Sequence, residues 1–358
     1  MAQLIVDLEK LRHNIHFLCT YCSSKNLELI GVIKGAYAFH EIIKEFQEGG
    51  IKTMGMSKAS LVSRWTEYLA DKPILISLPS LNELDLVTCN FKASLISEIA
   101  VIKALAASAE RNSQVHGIIL MVDNGDLREG VMPEDVFETA EAILSIKNRH
   151  LKFLGLGANL GCCSGTLPDN ENISQLEELA LDIETRLGYG IETVSVGGSV
   201  MLDWMEHNEL PLKINQIRIG ESILLGNIPS VNRKHPELFD DVFILRGDIL
   251  ELKEKPSKPP GRQGKDALGY EPKIVDRGRR QRALLNFGLV DTDPSGLFAC
   301  AENIEVINYN ADYTVVDLTE CEQNFKPGDA LEFKMNYRSM LQSFVSPFIK
   351  IKYVLPVQ

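Results

Sequence analysis

The lysine that follows a short apolar run is the residue of this sequence best suited to chemistry. Residues 29–33 are Leu, Ile, Gly, Val and Ile, and Lys34 and Gly35 follow them directly. An amine at the end of a buried strand loses hydrating water, which lowers its pKa and makes it a candidate for Schiff-base formation. A lysine at a strand end is more often a surface residue whose apolar stem lies along the protein. The catalytic interpretation therefore depends on the rest of the chain.

Two polar segments follow later strand-like runs. Residues 123–130 contain Arg128, which could clamp a carboxylate or a phenolate oxygen. The alternative for this segment is an acidic turn with a surface arginine. Residues 159–165 begin with Asn159, contain small residues that would let a flat ligand approach the backbone, and include Cys163, a thiol that could move a proton. An inert, space-filling cysteine is the alternative there.

Two glycine-containing segments are suited to binding an anion. Residues 197–199 are Gly, Gly and Ser, so backbone amides and the Ser199 hydroxyl could face a phosphate. Residues 218–222 place the amides of Gly220 and Glu221 at the predicted start of a helix, where the helix dipole favours negative charge. Loops after two consecutive late strands are a recurring place for phosphate in barrel enzymes. The two segments together predict a phosphate site.

The spacing of apolar residues predicts the elements that would carry these side chains. Helical periodicity occurs at residues 8–19, 40–48, 60–69, 97–110, 134–146 and 173–187. Strand-like runs occur at residues 29–33, 53–56, 73–78, 93–96, 114–122, 153–156, 193–196 and 216–219. Eight strands that alternate with helices predict an α/β fold, a (β/α)8 TIM barrel, over residues 8–230. The working residues of such a barrel stand at the carboxyl ends of the strands.

The second part of the chain has a different pattern. Strand-like runs occur at residues 242–245, 283–287, 313–316 and 348–354, and no convincing helical periodicity accompanies them. We therefore predict a mostly-β C-terminal domain made of residues 236–358, with its first strand contributed by residues 1–7. Residues 253–265 are rich in Pro, Gly and basic residues and are predicted to form a connecting loop.

Composition narrows the functional classes. The net charge of −12 disfavours binding to nucleic acid or to anionic lipid. The sequence has no apolar run long enough for a membrane helix and no signal-peptide pattern at its start. Its seven cysteines have neither disulfide-framework nor metal-ligand spacing, which suits reduced thiols. We expect a cytoplasmic protein with no metal site and no membrane association.

These motifs together resemble the alanine racemase-like group of pyridoxal-phosphate enzymes, and within it the ornithine racemase and related amino-acid racemase branch. The resemblance is carried by residues 32–34, 123–130, 197–199 and 218–221, and it extends over almost the full length. Residues 215–226 match the most specific motif of that branch, Asn-x-x-Arg-x-Gly-Glu-x-x-Leu-x-Gly. The resemblance implies the barrel and β-domain fold, pyridoxal 5'-phosphate as cofactor, and a homodimer in which each subunit's second domain closes the other's site.

Carried over by residue, the resemblance implies that Lys34 holds the cofactor covalently and acts as acid or base on one face of the substrate Cα. Arg218 is implied to face the pyridine nitrogen. Because an arginine keeps its proton, the ring would stay a weaker electron sink, which favours prompt reprotonation and hence racemisation. The other residues implied to contact the cofactor are Tyr37, Arg128, Asn159, Ser199, Gly220 and Glu221.

The sequence departs from the family where the second acid/base should stand. Leu289 occupies the position at which alanine racemases carry a tyrosine from the partner subunit. Tyr313, Cys163 and Tyr337 are then the candidates for the second acid/base. Three further departures from the ornithine racemase branch bear on the substrate: Tyr313 replaces its histidine, and Ser77 and Lys58 replace its arginines.

The preferred hypothesis is a racemase that interconverts L- and D-amino acids, with a basic amino acid such as ornithine or lysine as substrate. A protein that binds or buffers pyridoxal phosphate without turnover is the first alternative. A lyase or decarboxylase on the same scaffold is the second. Release of aldehyde or carbon dioxide, against loss of optical rotation, distinguishes these classes.

Overall fold

The chain forms two compact units in a computed structural model, which describes residues 1–69, 71–266, 269, 271 and 274–355. The first, called here the barrel unit, consists of residues 11–239. The second, called the sheet unit, consists of residues 1–10 and 240–358. Residue 70 of the predicted barrel and residues 267, 268, 270, 272, 273 and 356–358 of the predicted β domain lie outside the described residues. In the described ranges, no helix is both long enough and apolar enough to cross a membrane.

Eight parallel strands in the described part of the barrel unit close into a barrel, which confirms the predicted (β/α)8 fold. Strand numbering follows the chain, and β1 (Gln3–Asp7) belongs to the sheet unit. The barrel strands are β2 (Glu28–Val32), β3 (Thr53–Met56), β4 (Ile74–Leu75), β5 (Ala93–Ile96), β6 (His116–Val122), β7 (Leu151–Asn159), β8 (Thr193–Gly197) and β9 (Gln216–Ile219). Parallel pairing of β2 with both β3 and β9 closes the ring. Every residue of β6 is buried, as expected for a strand covered on both faces.

Helices follow most of these strands. They are α1 (Leu8–Ser24), α2 (His40–Glu48), α3 (Leu84–Asn90), α4 (Ile99–Arg111), α5 (Val136–Leu144), α6 (Asn170–Leu187), α7 (Met201–Met205) and α8 (Glu221–Leu225). Helix α6 shows how local sequence sets the ends. Asp169 accepts a hydrogen bond from the Asn172 amide at 2.8 Å, and the Asn172 side chain accepts one from the Asp169 amide at 3.0 Å. Gly188 then ends the helix in the left-handed conformation.

The elements predicted at residues 60–69 and 73–78 of the barrel unit are wrong in type or extent. The helix predicted at residues 60–69 is a short 3-10 helix, Ala59–Arg64, followed by turns. The Val62 carbonyl accepts hydrogen bonds from the Trp65 amide at 3.2 Å, the Thr66 amide at 3.1 Å and the Thr66 hydroxyl at 3.2 Å, so this turn mixes 3-10 and α-helical bonding. The strand predicted at residues 73–78 is only β4 in the structure. It ends early because the Ser77 hydroxyl donates a hydrogen bond to the Ser57 carbonyl at 2.7 Å and a proline follows at residue 79.

The barrel interior is filled by stacked apolar side chains. Ile30, Ile74 and Ala93 form one cluster, and Leu95, Ile119 and Met121 form another. Ile76 and Leu154 pack against both clusters. The interior is therefore a packed core, and the open end of the barrel is left for function.

The sheet unit is built around one sheet. After a short pair in the barrel unit, β10 (Asn227–Ile228) and β11 (Arg233–Lys234), its strands are β12 (Phe243–Pro256), β13 (Arg279–Leu285), β14 (Leu297–Ala299), β15 (Glu305–Tyr309), β16 (Thr314–Asp317), β17 (Ala330–Met335) and β18 (Lys350–Val354). The antiparallel order is β14-β17-β12-β13-β16-β15. Strand β1 pairs antiparallel with β12 and parallel with β18, so the start of the chain lies in this sheet.

The sheet unit also contains a helix, α9 (Tyr337–Val345), so the expectation of no helix beyond residue 236 is wrong. Asn336 caps it, with its side chain accepting a hydrogen bond from the Ser339 amide at 2.9 Å. Met340 and Phe344 are buried along one face, which accounts for the stability of a helix of only 9 residues.

Candidate active site

Lys34 stands directly beyond the carboxyl end of β2, in a 3-10 turn, Lys34–Ala36. Its side chain is open to solvent on one side, yet protein surrounds it on the others. The resulting loss of hydration lowers the pKa of the Lys34 amine. The neighbouring Cys162, Glu129 and Glu221 act to raise this pKa, and Arg128 acts to lower it. A lowered pKa leaves more of the amine uncharged near neutral pH, which is what a nucleophilic lysine needs.

Tyr37 ends this turn in an unusual backbone conformation. Tyr37 and Ala38 both have φ of 54°, in the left-handed region that bulky residues rarely adopt. The Arg64 guanidinium lies 4.8 Å from the Tyr37 ring centroid and 5.3 Å from that of Phe39. Such strain clusters at functional sites, where it fixes the direction of side chains.

The segment after β6 is folded around the side chain of Asp123. Its carboxylate accepts hydrogen bonds from the amides of Gly125 at 3.2 Å, Leu127 at 2.9 Å and Arg128 at 3.1 Å. Gly130 closes the segment with φ of 143°, and an added Cβ there would lie 2.3 Å from the Asp123 nitrogen. This loop therefore holds residues 128 and 129 in one place.

Arg128 binds two groups at the open end of the barrel. Its Nε and Nη2 both donate to the Glu129 carboxylate, and its Nη1 donates to Sγ of Cys162 at 2.8 Å. Burial opposes the charge of this guanidinium, but the hydrogen bonds and the negative charge of Glu129 raise the pKa of Arg128. Arg128 stays a cation, as the predicted carboxylate clamp requires.

Asp126 joins the loop that follows β7, which contains Cys162 and Cys163, to the loop that carries Arg128. It is only 2 % exposed, and its Oδ1 accepts hydrogen bonds from the amides of Cys162 and Cys163, both at 2.9 Å. The thiol of Cys163 is exposed. Partial desolvation and the neighbouring Cys162 raise the pKa of Cys163, which keeps this thiol protonated at neutral pH and weakens its candidacy as a base.

Arg218, on β9, is buried inside the barrel near its open end, with 4 % exposure. Its Nη1 donates to Ser195 Oγ at 2.5 Å, and its Nη2 donates to the Ala158 carbonyl at 2.7 Å and to Asn159 Oδ1 at 2.9 Å. Burial lowers the pKa of Arg218 to about 10, against the favourable charge of Glu129. The side chain is therefore still a cation at neutral pH, held by three acceptors.

Asn159 connects the two arginines through Glu129. Its Oδ1 accepts from Arg218, while its Nδ2 donates to Glu129 Oε1 at 2.7 Å. Gly197 on the neighbouring strand leaves room for this link, because a Cβ there would lie 2.5 Å from Asn159 Oδ1 and 2.7 Å from Arg218 Nη2. The chain Arg218, Asn159, Glu129 and Arg128 is continuous in hydrogen bonds.

The loops after β8 and β9, which the sequence predicts to bind an anion, are joined by a hydrogen bond. The Ser222 amide donates to Ser199 Oγ at 3.0 Å, and both residues are buried. Gly220 lies close to β2, with an added Cβ 3.0 Å from the Val32 carbonyl. Burial raises the pKa of Glu221, whereas a hydrogen bond from Asn227 and the charge of Lys34 act to lower it. The turn that carries Lys34 contacts helix α8, so the predicted lysine and anion loops share one end of the barrel.

Two candidates for the second acid/base, Tyr313 and Tyr337, belong to the sheet unit. Tyr313 lies in a loop that is hydrogen-bonded to the loop of Leu289. The Leu289 amide donates to the Asn310 carbonyl at 2.9 Å, and the Tyr313 amide donates to Asn310 Oδ1 at 2.8 Å. Tyr313 is 40 % exposed. Tyr337 is the half-buried first residue of α9. Tyr313 is thus a close neighbour of the position where the family carries its tyrosine.

Sequence reasoning missed Glu129, Asp126 and Ser195. Glu129 and Asp126 lie inside the predicted polar segment 123–130, but only the fold of this loop shows that Glu129 binds Arg128 and that Asp126 binds the amides of the loop that follows β7. Ser195 is a small residue within a strand, and its inward direction could have been found from the alternation along β8. Lys58 is exposed and Ser77 is occupied with a backbone carbonyl, so neither bonds to this network.

The fold and this end of the barrel define a class of protein. A dehydrated amine suits an aldehyde, the Ser199 hydroxyl and the amides of the two late loops suit a phosphate, and buried Arg218 suits the electron-rich nitrogen of a flat ring. These are the functional groups of pyridoxal phosphate. The chain is a barrel protein of the pyridoxal-phosphate class.

Comparison with known proteins identifies the family. Residues 6–227 match the family described as "Alanine racemase, N-terminal domain". The chain is 34 % identical over 349 residues to the ornithine racemase of Acetoanaerobium sticklandii, with 97 % of this chain and 98 % of the relative covered. It is 32 % identical over 352 residues to the lysine racemase of Thermotoga maritima, with 98 % of each covered. The solved alanine racemase of Bartonella henselae with covalently bound pyridoxal phosphate has a TM-score of 0.72 at 15 % identity, covers 99 % of both chains, and shares the fold.

The chain belongs to the alanine racemase family. It is an isomerase, an amino-acid racemase that depends on pyridoxal 5'-phosphate. Both the predicted family and the predicted cofactor are confirmed.

Proposed function

We propose that this racemase acts on a basic amino acid, with ornithine and lysine as the first substrates to test. The observation that supports this choice is the similarity, over almost the whole chain, to an ornithine racemase and to a lysine racemase. The acidic side chains of Glu129 and Glu221 stand within electrostatic reach of Lys34. They make this end of the barrel compatible with a substrate that carries a second ammonium group.

We assign Lys34 the removal and return of the Cα proton on one face of the substrate. Arg128, held by Glu129, would bind the substrate carboxylate, and Ser199 with the amides of Gly220 and Glu221 would bind phosphate. Pyridoxal phosphate, when bound, supplies an electron-withdrawing ring that stabilises the charge developed at Cα. Arg218 would hydrogen-bond the ring nitrogen while keeping its own proton, since the pKa of Arg218 stays near 10 even when buried. Tyr37 and Asn159 would line the same site.

We propose Tyr313 as the acid/base on the opposite face. Its loop is bonded through Asn310 to the loop of Leu289, the position where the family carries a tyrosine. Tyr337 and Cys163 remain the alternatives. The raised pKa of Cys163 argues against its thiol, and Tyr337 lies outside the Asn310 loops.

The variant Tyr313→Phe tests this assignment, with Tyr309→Phe as the matched control. Removal of one of two bases should slow racemisation about 10²- to 10⁴-fold. Exchange of the Cα proton with solvent deuterium should persist for the enantiomer that faces Lys34. Unchanged racemisation by Tyr313→Phe, with Tyr309→Phe also unchanged, would transfer the role to another residue.

We further propose a cytoplasmic homodimer with shared active sites. The seven cysteines are all unpaired, which suits a reducing compartment. Family resemblance supports the dimer, and mixing two inactive variants tests it. If Lys34 and Tyr313 of one site come from different subunits, Lys34→Ala mixed with Tyr313→Phe should recover about a quarter of wild-type activity after subunit exchange. No recovery between exchanging subunits would place both groups on one chain.

Solvent-deuterium incorporation at Cα over a panel of amino acids tests the whole proposal. We expect deuterium in ornithine or lysine together with loss of optical rotation, and far less in alanine. Release of aldehyde or carbon dioxide would instead indicate a lyase or decarboxylase. Stoichiometric binding of pyridoxal phosphate with no exchange in any amino acid would indicate a cofactor carrier.

A further inference from the structure

We propose that Glu129 is the positioning residue of this site, a single carboxylate that orients both arginines toward the cofactor and substrate. This inference rests on the proposed roles of Arg128 and Arg218, and it adds a residue that those roles do not include. Glu129 acts through other side chains, so it is not assigned a chemical step.

Three N–H donors converge on the Glu129 carboxylate. Two come from Nε and Nη2 of Arg128, which grip it side-on, and the third is Asn159 Nδ2 at 2.7 Å. Asn159 passes the link to Arg218 through its Oδ1 at 2.9 Å. Loss of the Glu129 carboxylate would therefore free two N–H groups of Arg128 and leave Asn159, one of the three acceptors of Arg218, without its own anchor.

Charge gives a second reason for this arrangement. Arg128 disfavours the charged form of Arg218, whereas Glu129 favours the charge of both arginines. The Glu129 side chain is only 13 % exposed, so water screens these interactions weakly. Without the Glu129 carboxylate, the two cations would share one end of the barrel, and the carboxylate left beside Arg128 would be that of Asp126, whose Oδ2 lies 3.9 Å from Arg128 Nε.

The surrounding backbone keeps Glu129 in this position. Gly130, directly after it, has a left-handed φ and no room for a Cβ beside the Asp123 nitrogen. Asn159 and Arg218 pack so closely against Gly197 that a methyl group would not fit at that position. On the other side of the guanidinium, Arg218 Nη1 donates a hydrogen bond to Ser195 Oγ at 2.5 Å. The pair of arginines is therefore preorganised before any ligand arrives.

The variants Glu129→Gln and Glu129→Asp test the inference, with Glu134→Gln as control because Glu134 is an exposed glutamate on the following turn. Glutamine has one oxygen for three donors and presents an N–H to one of them, so it removes the charge and disorders the link. Aspartate keeps the charge on a shorter side chain. Supporting groups behind a bound cofactor or metal typically change affinity about 10- to 100-fold when lost.

Three readouts separate positioning from folding. Titration of the apoprotein with pyridoxal phosphate gives cofactor affinity, the pH dependence of the bound cofactor's absorbance gives the electrostatics of the ring, and melting of the apoprotein gives stability. For Glu129→Gln we expect cofactor binding weakened about 10- to 100-fold and a shifted absorbance titration. We expect Glu129→Asp to recover part of both changes and Glu134→Gln to match wild type.

Wild-type affinity and an unshifted titration in Glu129→Gln would overturn the inference. If Glu129→Gln lowers the apoprotein melting temperature beyond the control, Glu129→Asp decides the question. Recovery of binding by aspartate supports positioning by charge, and loss equal to that of glutamine contradicts it. Failure of the wild-type protein itself to bind pyridoxal phosphate or to exchange Cα protons is a separate result, and it would remove the proposed function first.

Discussion

Replacement of Gly197 by alanine is the most direct perturbation of the link between the two arginines. The new Cβ would lie 2.5 Å from Asn159 Oδ1 and 2.7 Å from Arg218 Nη2, where ordinary contacts begin at 3.4 Å. Asn159 or the guanidinium must retreat by about 1 Å, and their 2.9 Å hydrogen bond breaks. Arg218 is buried, so its lost partner is not replaced by bulk water.

Two contributions set the size of the effect. Forcing a methyl group into a packed interior costs about 1–3 kcal/mol. Losing a hydrogen bond to a charged group costs about 1.5–3 kcal/mol. Since the same shift relieves part of the first cost by incurring the second, we expect a loss of about 3 kcal/mol. For a unit of this size that lowers the melting temperature by about 6–12 °C.

Differential scanning calorimetry of the apoprotein measures this change, and Gly190→Ala is the control. Gly190 is an exposed glycine whose added Cβ meets nothing within 4 Å. We expect the control to melt within about 4 °C of wild type, because alanine at an open glycine position changes stability by only about 0.4–1 kcal/mol. A Gly197→Ala protein that melts with the control would refute the tight packing of this link.

Three further outcomes are expected. Borohydride reduction of the protein with its cofactor should fix the cofactor covalently on Lys34. The variant Lys34→Ala should lose both this label and the visible absorbance. Detection of the label on another lysine by mass spectrometry would contradict the assignment. The lowered pKa of Lys34 should make this residue react with amine reagents at lower pH in the folded protein than in the urea-unfolded protein. Equal pH midpoints in the two states would count against loss of hydration at this amine. Burial lowers the pKa of His116 to about 4, so the unfolded chain takes up its proton near pH 6.5 and the folded protein only near 4. Folding stability should therefore fall by about 3 kcal/mol between those pH values, and His116→Asn should show a shallower loss in urea melts at pH 7, 5.5 and 4.

The strands that could be predicted from sequence are those in which the apolar run along the chain and the burial in the folded barrel cover the same residues. Runs such as β3, β5 and β9 have the predicted ends, and every residue in these three strands is buried. β4 is shorter than its apolar run because Ser77 bonds across to a backbone carbonyl, a long-range choice that the run itself does not contain. Helix α9 was missed because its periodicity is short, although Asn336 before it is a recognisable cap.

The candidate site divides in the same way. The shared location of Lys34, Arg128, Asn159, Ser199 and Arg218 could be expected from sequence, because each lies near or beyond the carboxyl end of a predicted strand and parallel strands bring those ends together. Their partners could not be assigned. The hydrogen bond from Asn159 to Glu129 depends on the left-handed turn at Gly130, which the sequence alone does not specify. That the adjacent residues Arg128 and Glu129 hydrogen-bond to each other could not be seen from their being neighbours along the chain.

The position of β1 between β12 and β18 bears on how the protein is made. About 340 residues separate β1 from its parallel neighbour β18, whereas the barrel unit is one continuous stretch of chain. At a synthesis rate of about 5–20 residues per second, β1 waits on the order of 20–70 s after leaving the ribosome before β18 exists. Throughout that interval Leu4 and Val6, fully buried in the finished sheet, must be kept from pairing with other chains. A chaperone that shields nascent N-terminal segments should therefore improve the yield of native protein more than one that acts after chain release.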